Sequence, residues 1–242
     1  MTLVKISGIV LSLFKKEELL SLIVRVIAEK NKYAVLCTDF RLINYCSKLS
    51  NCFFDNATYY PDSTGIYIVL KTLFRKESKD FKKLVSTDLH YELLRIANQK
   101  KLSLYLLGGT DAILFSFVKK LRKEYPRINI TGYQNGYDSI NPNALKKINL
   151  MNPDILLVGM GVPKQEIWVS KHFNELNVSL ILTVGAFFSF YSDNTNRAPK
   201  IFRYLSLEWL YRLFQEPGRL WKRYFVEYPF FVYNVIKERI TK

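Results

Sequence analysis

The stretch Asp154-Ile-Leu-Leu-Val-Gly-Met-Gly-Val-Pro-Lys-Gln-Glu166 sets four consecutive apolar residues ahead of a Gly-x-Gly turn and a proline. An unbroken apolar run reads as a strand buried on both faces, and Pro163 suits the first turn of a helix reaching to 176. Strand, glycine turn and helix in this order are half of a parallel β-α-β unit, whose ligands bind outside the carboxyl ends of the strands. Gly159, Gly161, Lys164 and Gln165 therefore stand at a candidate ligand edge. Gln165 and Glu166 fall in the helix's first turn, where they also suit the dipole, so a structural role and a binding role compete evenly there.

Outward from this segment the same alternation repeats. Leu20, Ile23, Val24 and Ile27 give 16–30 a helical stripe, and 33–38 is a short β-type run. Segments 65–74 and 88–99 read as helices, 102–107 as a buried strand, and 111–125 carries Ile113, Phe117, Val118 and Leu121 on one face. Then 127–131, 154–158 and 178–184 read as strands, with 143–151 helical between them. The pattern predicts an α/β fold, a Rossmann-like three-layer arrangement with a mostly parallel sheet covered on both faces. Past Arg197 the rhythm stops. Arg203, Arg212, Arg219, Lys222 and Arg223 are interleaved with Trp209, Tyr211, Phe214, Trp221, Tyr224, Phe225 and Phe231. That composition predicts a helical appendage, interrupted near Pro217 and again near Pro229, and a division into a core of 1–196 and an appendage of 197–242.

Charge narrows the partners. The 242 residues carry 36 Lys+Arg against 21 Asp+Glu, a net charge of +15, which points to an anionic partner such as nucleic acid, an anionic membrane or a phosphorylated substrate. Three cysteines without a C-x-x-C pair and two distant histidines argue against a disulfide framework or a zinc site. The apolar stretch 6–14 is short, is followed at once by Lys15 and Lys16, and lacks a cleavage pattern, so a cytoplasmic protein with at most peripheral membrane contact is expected.

Three further features can carry chemistry. Gly108-Gly109-Thr110-Asp111 lies between a strand and a helix, where backbone amides can hold a phosphate or simply form a tight turn. Tyr59-Tyr60-Pro61-Asp62-Ser63-Thr64-Gly65 offers Asp62 as a general base, although an Asp capping the following helix is the more common use of such a turn. The arginine and aromatic cluster of the appendage suits diphosphate groups or an anionic lipid interface, and no RNP-type or KH-type motif supports nucleic acid.

Taken in order, these motifs resemble the WecG/TagA/CpsF family of bacterial glycosyltransferases over nearly the whole length. The resemblance rests on Pro61-Asp-x-x-Gly65, Leu107-Gly-Gly109, Gly132-x-x-x-Gly136-Tyr137, the Asp154 to Glu166 segment, Val184-Gly-Ala186, Arg197-Ala-Pro199 and Glu208-Trp-Leu-Tyr-Arg212. It implies an inverting transfer of a sugar from a UDP-sugar to a polyprenyl-diphosphate-linked acceptor at the inner face of the plasma membrane, in cell-surface polysaccharide assembly. It also implies Asp62 as base, Gln165 in the donor pocket, and Arg212, Arg219 and Arg223, with Arg197, around the diphosphate. The chain departs from the pattern at Thr38-Asp39, where Thr-x-Asn is usual, at Lys83, where Arg is usual, and at Ser189. These positions line or neighbour the donor pocket and bear on whether N-acetylmannosamine, its uronic acid or a hexose is moved.

No Asp-x-Asp pair occurs in the sequence, so arginines and a helix N-terminus are expected to hold the diphosphate, with no metal and no cofactor. A homo-oligomer is compatible with the aromatic surface. The alternative from another class is a non-catalytic Rossmann-like module that binds an anion or nucleic acid, with Asp62 only capping a helix.

Overall fold

A computed structural model describes residues 1–46, 55–136, 143–192, 199, 202 and 207–241; within these the side chains of Glu208, Arg212 and Arg219 are not described. Its centre is an eight-stranded sheet. In chain order the strands are β1 (Thr2–Ile6), β2 (Ile9–Leu13), β3 (Tyr33–Thr38), β4 (Ala57–Pro61), β5 (Ser103–Gly108), β6 (Asn129–Gln134), β7 (Ile155–Gly159) and β8 (Leu180–Thr183). Across the sheet they run β1-β2-β4-β3-β8-β7-β5-β6, antiparallel between β1 and β2 and parallel elsewhere.

Helices cover both faces. They are α1 (Lys16–Glu29), α2 (Phe40–Cys46), α3 (Thr64–Leu73), α4 (Ser86–Lys100), α5 (Asp111–Glu124), α6 (Asn143–Met151), α7 (Lys164–His172) and α8 (Phe187–Tyr191). The two-residue period of the strands divides the core. In β3, Ala34 and Leu36 join one apolar cluster with α2, α3, α6 and α7, while Val35 and Cys37 join the other with α1, α4, α5 and α8. β7 divides likewise, with Leu156 and Val158 on the first side and Ile155 and Leu157 on the second. The unbroken apolar runs in the sequence thus mark strands packed on both faces, as expected for a parallel sheet.

Several elements escape the sequence pattern or shift against it. Residues 6–14, read only as an apolar stretch, supply β2 of an antiparallel hairpin, turned by Ser7 and Gly8 at φ 47° and 89°. β4 precedes the Asp62 turn, and α2 and α8 are too short for a periodic signal. The strand expected at 127–131 begins later, at Asn129, and the helix expected to reach 176 ends at His172.

Among the described residues the C-terminal segment is helical, as read, and is broken ahead of Pro217 but not at Pro229. α9 (Glu208–Gln215) ends ahead of Pro217, and α10 (Pro217–Lys222) passes through a π-helical turn (Arg223–Glu227) into α11 (Tyr228–Ile240). At the junction the Tyr228 N–H bonds to Arg223 O, five residues back. This wider turn admits Pro229, which lacks an N–H and whose ring would crowd the carbonyl four residues back in an α-helix. α11 lies on the core: Phe231 and Val235 are buried in the cluster that holds Phe40, Ile43, Ile66 and Leu70. Its far end is fixed by Glu238, which accepts from the Ser7 N–H at 2.7 Å.

Candidate active site

At the carboxyl edge of the sheet lies an open cleft of about 590 Å³, lined from the end of β3, the turns after β4, β7 and β8, the segment before α4, and the C-terminal helices. It brings together Asp39, Asp62, Lys83, Gly161, Lys164, Gln165 and Arg223 of the expected residues, and adds Arg41, Met160, Trp209, Tyr224 and Tyr228. Arg41 follows Asp39 by two positions, and that strand-end Asp-x-Arg was the available signal for it.

Asp62 follows β4 directly. Ser63, not Asp62, caps α3: its hydroxyl accepts from the Ile66 N–H at 3.2 Å. The Asp62 carboxylate instead accepts from the Ser86 N–H at 3.0 Å, at the start of α4. The expected structural alternative, an Asp capping the α3 helix, is therefore corrected, and Asp62 borders the cleft with one oxygen oriented by α4. Other titratable groups behind it are held neutral. Burial pushes the Cys37 thiol and the Tyr60 hydroxyl well up, each assisted by the Asp62 charge, and pushes His90 down to about 3. Cys37 Sγ and His90 Nε2 lie 3.8 Å apart as neutral partners. A thiolate or imidazolium is thereby disfavoured behind Asp62.

Asp39 is a structural junction. Its Oδ1 accepts from the Arg41 and Leu42 N–H groups at 2.9 and 3.2 Å, capping α2, and its Oδ2 meets the Arg41 guanidinium at 2.9 Å and Arg223 at 3.1 Å. Arg223 also lies over the rings of Phe40 and Tyr224, 5.7 and 5.5 Å from their centroids. The extra charge of Asp39 relative to Asn is thus matched by two guanidinium groups. Lys83 Nζ donates to Thr64 Oγ1 at 2.6 Å, and Lys164 is exposed at the cleft.

Gln165 is almost fully buried. Its Oε1 accepts from the N–H groups of Gly161 and Gly185 at 3.2 and 3.1 Å, and its Nε2 donates to Glu166 Oε1 at 2.6 Å. Glu166 is buried, and desolvation raises its carboxyl to about 8, so it carries a proton at neutral pH.

Other expected residues stand apart from the cleft lining. Thr38 is buried and donates to Leu36 O at 3.1 Å. Gly108 and Gly109 serve close packing: a Cβ on Gly108 would collide with the Gly159 backbone, and the Gly109 N–H bonds to Gly159 O at 3.1 Å. Gly159 itself abuts Phe188, which would lie 2.6 Å from an added Cβ. These three glycines lie at the contact of β5 with β7 and are not among the residues that line the cleft. Arg197 lies outside the described residues, as do the side chains of Arg212 and Arg219.

A mostly parallel α/β sheet gathers Asp62 with Arg41, Lys83, Lys164 and Arg223 along its carboxyl edge, where proteins of this α/β class bind their ligands. The chain belongs to the glycosyl transferase WecG/TagA/CpsF family, whose model matches residues 4–242, and it is a glycosyltransferase. It is 33% identical over 183 residues to an N-acetylglucosaminyldiphosphoundecaprenol N-acetyl-beta-D-mannosaminyltransferase of Bacillus subtilis (strain 168), covering 75% of this chain and 69% of that one. It is 31% identical over 180 residues to an enzyme of the same description from Staphylococcus aureus (strain MW2), covering 74% and 68%.

Proposed function

We propose that the protein transfers a sugar with inversion from a UDP-sugar to a sugar linked to a polyprenyl diphosphate, with Asp62 as general base. The observation that carries this reading is the placement of Asp62 in a cleft with four cationic side chains, oriented by α4 and not engaged in capping α3. Inverting transfer needs a base for the acceptor hydroxyl as its oxygen attacks the anomeric carbon, and cations or amide dipoles for charge growing on the departing diphosphate. Lys164 and the Gly161 and Gly185 turns stand at the edge suited to UDP, while Arg41, Lys83 and Arg223 supply cations for the phosphates. Both relatives are described as acting on an undecaprenol-diphosphate-linked N-acetylglucosamine and moving N-acetylmannosamine, which makes UDP-N-acetylmannosamine the first donor to test. The uronic acid and neutral hexoses are the next candidates.

We further assign the appendage to the membrane, at the cytoplasmic face, with 1–196 as the glycosyltransferase core and 197–242 presenting the acceptor. Among the described residues no helix is long and apolar enough to cross a bilayer. Phe214, Trp221, Phe225, Phe230, Tyr233 and Ile240 are exposed on the C-terminal helices beside Lys222, Lys237 and Arg239, a composition suited to an anionic lipid interface. The test is a panel of UDP-sugars offered with polyprenyl-diphosphate-linked N-acetylglucosamine, with and without chelator, reading product mass and linkage. UDP release that requires the lipid acceptor and persists with chelator supports the reading. Release that ignores the acceptor contradicts it.

A further inference from the structure

The Gln165 amide joins two turns of the cleft. Gly161 and Gly185 follow β7 and β8, have φ of 77° and 54°, and both line the cleft. Their N–H groups converge on the one oxygen of Gln165. The two ends of an amide have nearly the same shape, so a flipped Gln165 would fit the space but would set its NH₂ against two N–H donors. The two glycine N–H groups thus set the polarity of the amide, and its other end is held by the 2.6 Å bond from Nε2 to Glu166 Oε1. Glu166 is 4% exposed, and no hydrogen-bond partner meets its other oxygen. It faces Asp39, Arg41 and Cys37 from the β3 side of the cleft.

We propose that Glu166 is a positioning residue for the transfer reaction: by accepting from Gln165 Nε2 it anchors that amide and so holds the Gly161 and Gly185 turns in the form that binds the donor. The inference rests on the reading of this cleft as the donor site. Glu166→Gln preserves a carbonyl acceptor at the same reach, whereas Glu166→Leu fills the space without one. Amide hydrogen exchange read residue by residue reports the two glycine N–H groups directly, without any ligand. Glu166→Leu is expected to exchange at Gly161 and Gly185 about tenfold faster than wild type, the loss of one net hydrogen bond, while Glu166→Gln stays close to wild type. In turnover assays the donor KM should rise about tenfold in Glu166→Leu with a smaller change in kcat, and Glu166→Gln should restore it. If Glu166→Leu does not fold, Glu166→Asp, whose carboxyl is withdrawn by one methylene, should show the faster exchange instead. Wild-type exchange in Glu166→Leu, or in Glu166→Asp where Glu166→Leu does not fold, or fast exchange in Glu166→Gln, would overturn the proposal. The expected exchange with an unchanged donor KM would place the error in the donor-site reading, since the Glu166 contact would have passed its own test.

Discussion

Arg223 donates to the Asp39 carboxylate at 3.1 Å, joining the π-helical turn of the C-terminal segment to the residue that follows β3. The two are 184 positions apart in sequence. Asp39 also caps α2, so the contact ties the closure of the C-terminal helices over the cleft to the geometry of the sheet edge beneath. The charge of Asp39 therefore organises the cleft wall, and Arg41 shares it.

That arrangement predicts energetic coupling. In a double-mutant cycle of Asp39→Asn and Arg223→Lys, denaturant unfolding should give an interaction energy of about 1–2 kcal/mol, because both side chains are mostly buried and Arg41 retains part of the Asp39 charge. Additive effects would show that the contact does not stabilise the closed tail.

Asp62→Asn should leave the fold intact while removing the base. An Asn oxygen can still accept from the Ser86 N–H, so the unfolding free energy should change by less than about 1 kcal/mol. Steady-state kinetics should show kcat lowered by roughly 10²–10⁴ with little change in donor KM. Unchanged turnover would remove Asp62 from the mechanism.

The buried Glu166 predicts a pH slope in stability. Its carboxyl holds a proton up to about 8 in the native state, against 4.5 for an ordinary carboxyl. Between these values the unfolded chain binds fewer protons than the native one, so stability falls as pH rises from about 4.5 to about 8. The loss is on the order of a few kcal/mol over that window. Glu166→Gln should flatten this contribution and be the more stable protein at pH 8, measured by urea unfolding at several pH values. An unaltered slope would refute it.

Gly65→Ala should loosen the tail. A Cβ there would lie 2.5 Å from Tyr228 Cε2, and Tyr228 is held edge-on to Phe40, with centroids 5.3 Å apart. The expected cost is about 1–3 kcal/mol, relieved in the double variant with Tyr228→Ala. A tolerated Ala would show that α11 sits less closely on α3.

Much of the fold was legible because its signals are local. The strands read at 154–158 and 102–107 needed only their largely apolar continuity to be read as buried, and Thr110, Asp111 and the stripe ending at Leu121 marked α5 from cap to last turn. α2 and α8 were not legible, since seven and five residues hold too few turns for a period to show. The π-helical turn was likewise unreadable, because a Pro in a helical pattern signals a break unless the backbone ahead of it widens.

The candidate site divides in the same way. Asp62, Lys164 and Gln165 were legible as chemistry-bearing types at strand ends and helix starts, a one-dimensional property of the chain. Their roles were not. Whether Asp62 or Ser63 caps α3 depends on backbone direction at one turn, and how closely Gly108 meets the Gly159 backbone depends on the spacing of β5 and β7. The sequence by itself determined the layer order, the sheet edge and the inventory of charged groups, because periodicity and turn chemistry act over a few neighbouring residues. Only the tertiary structure decided that Asp39 holds Arg223, that Gln165 bridges two glycine turns and that Glu166 stays protonated, because those depend on which distant segments exclude water from one another.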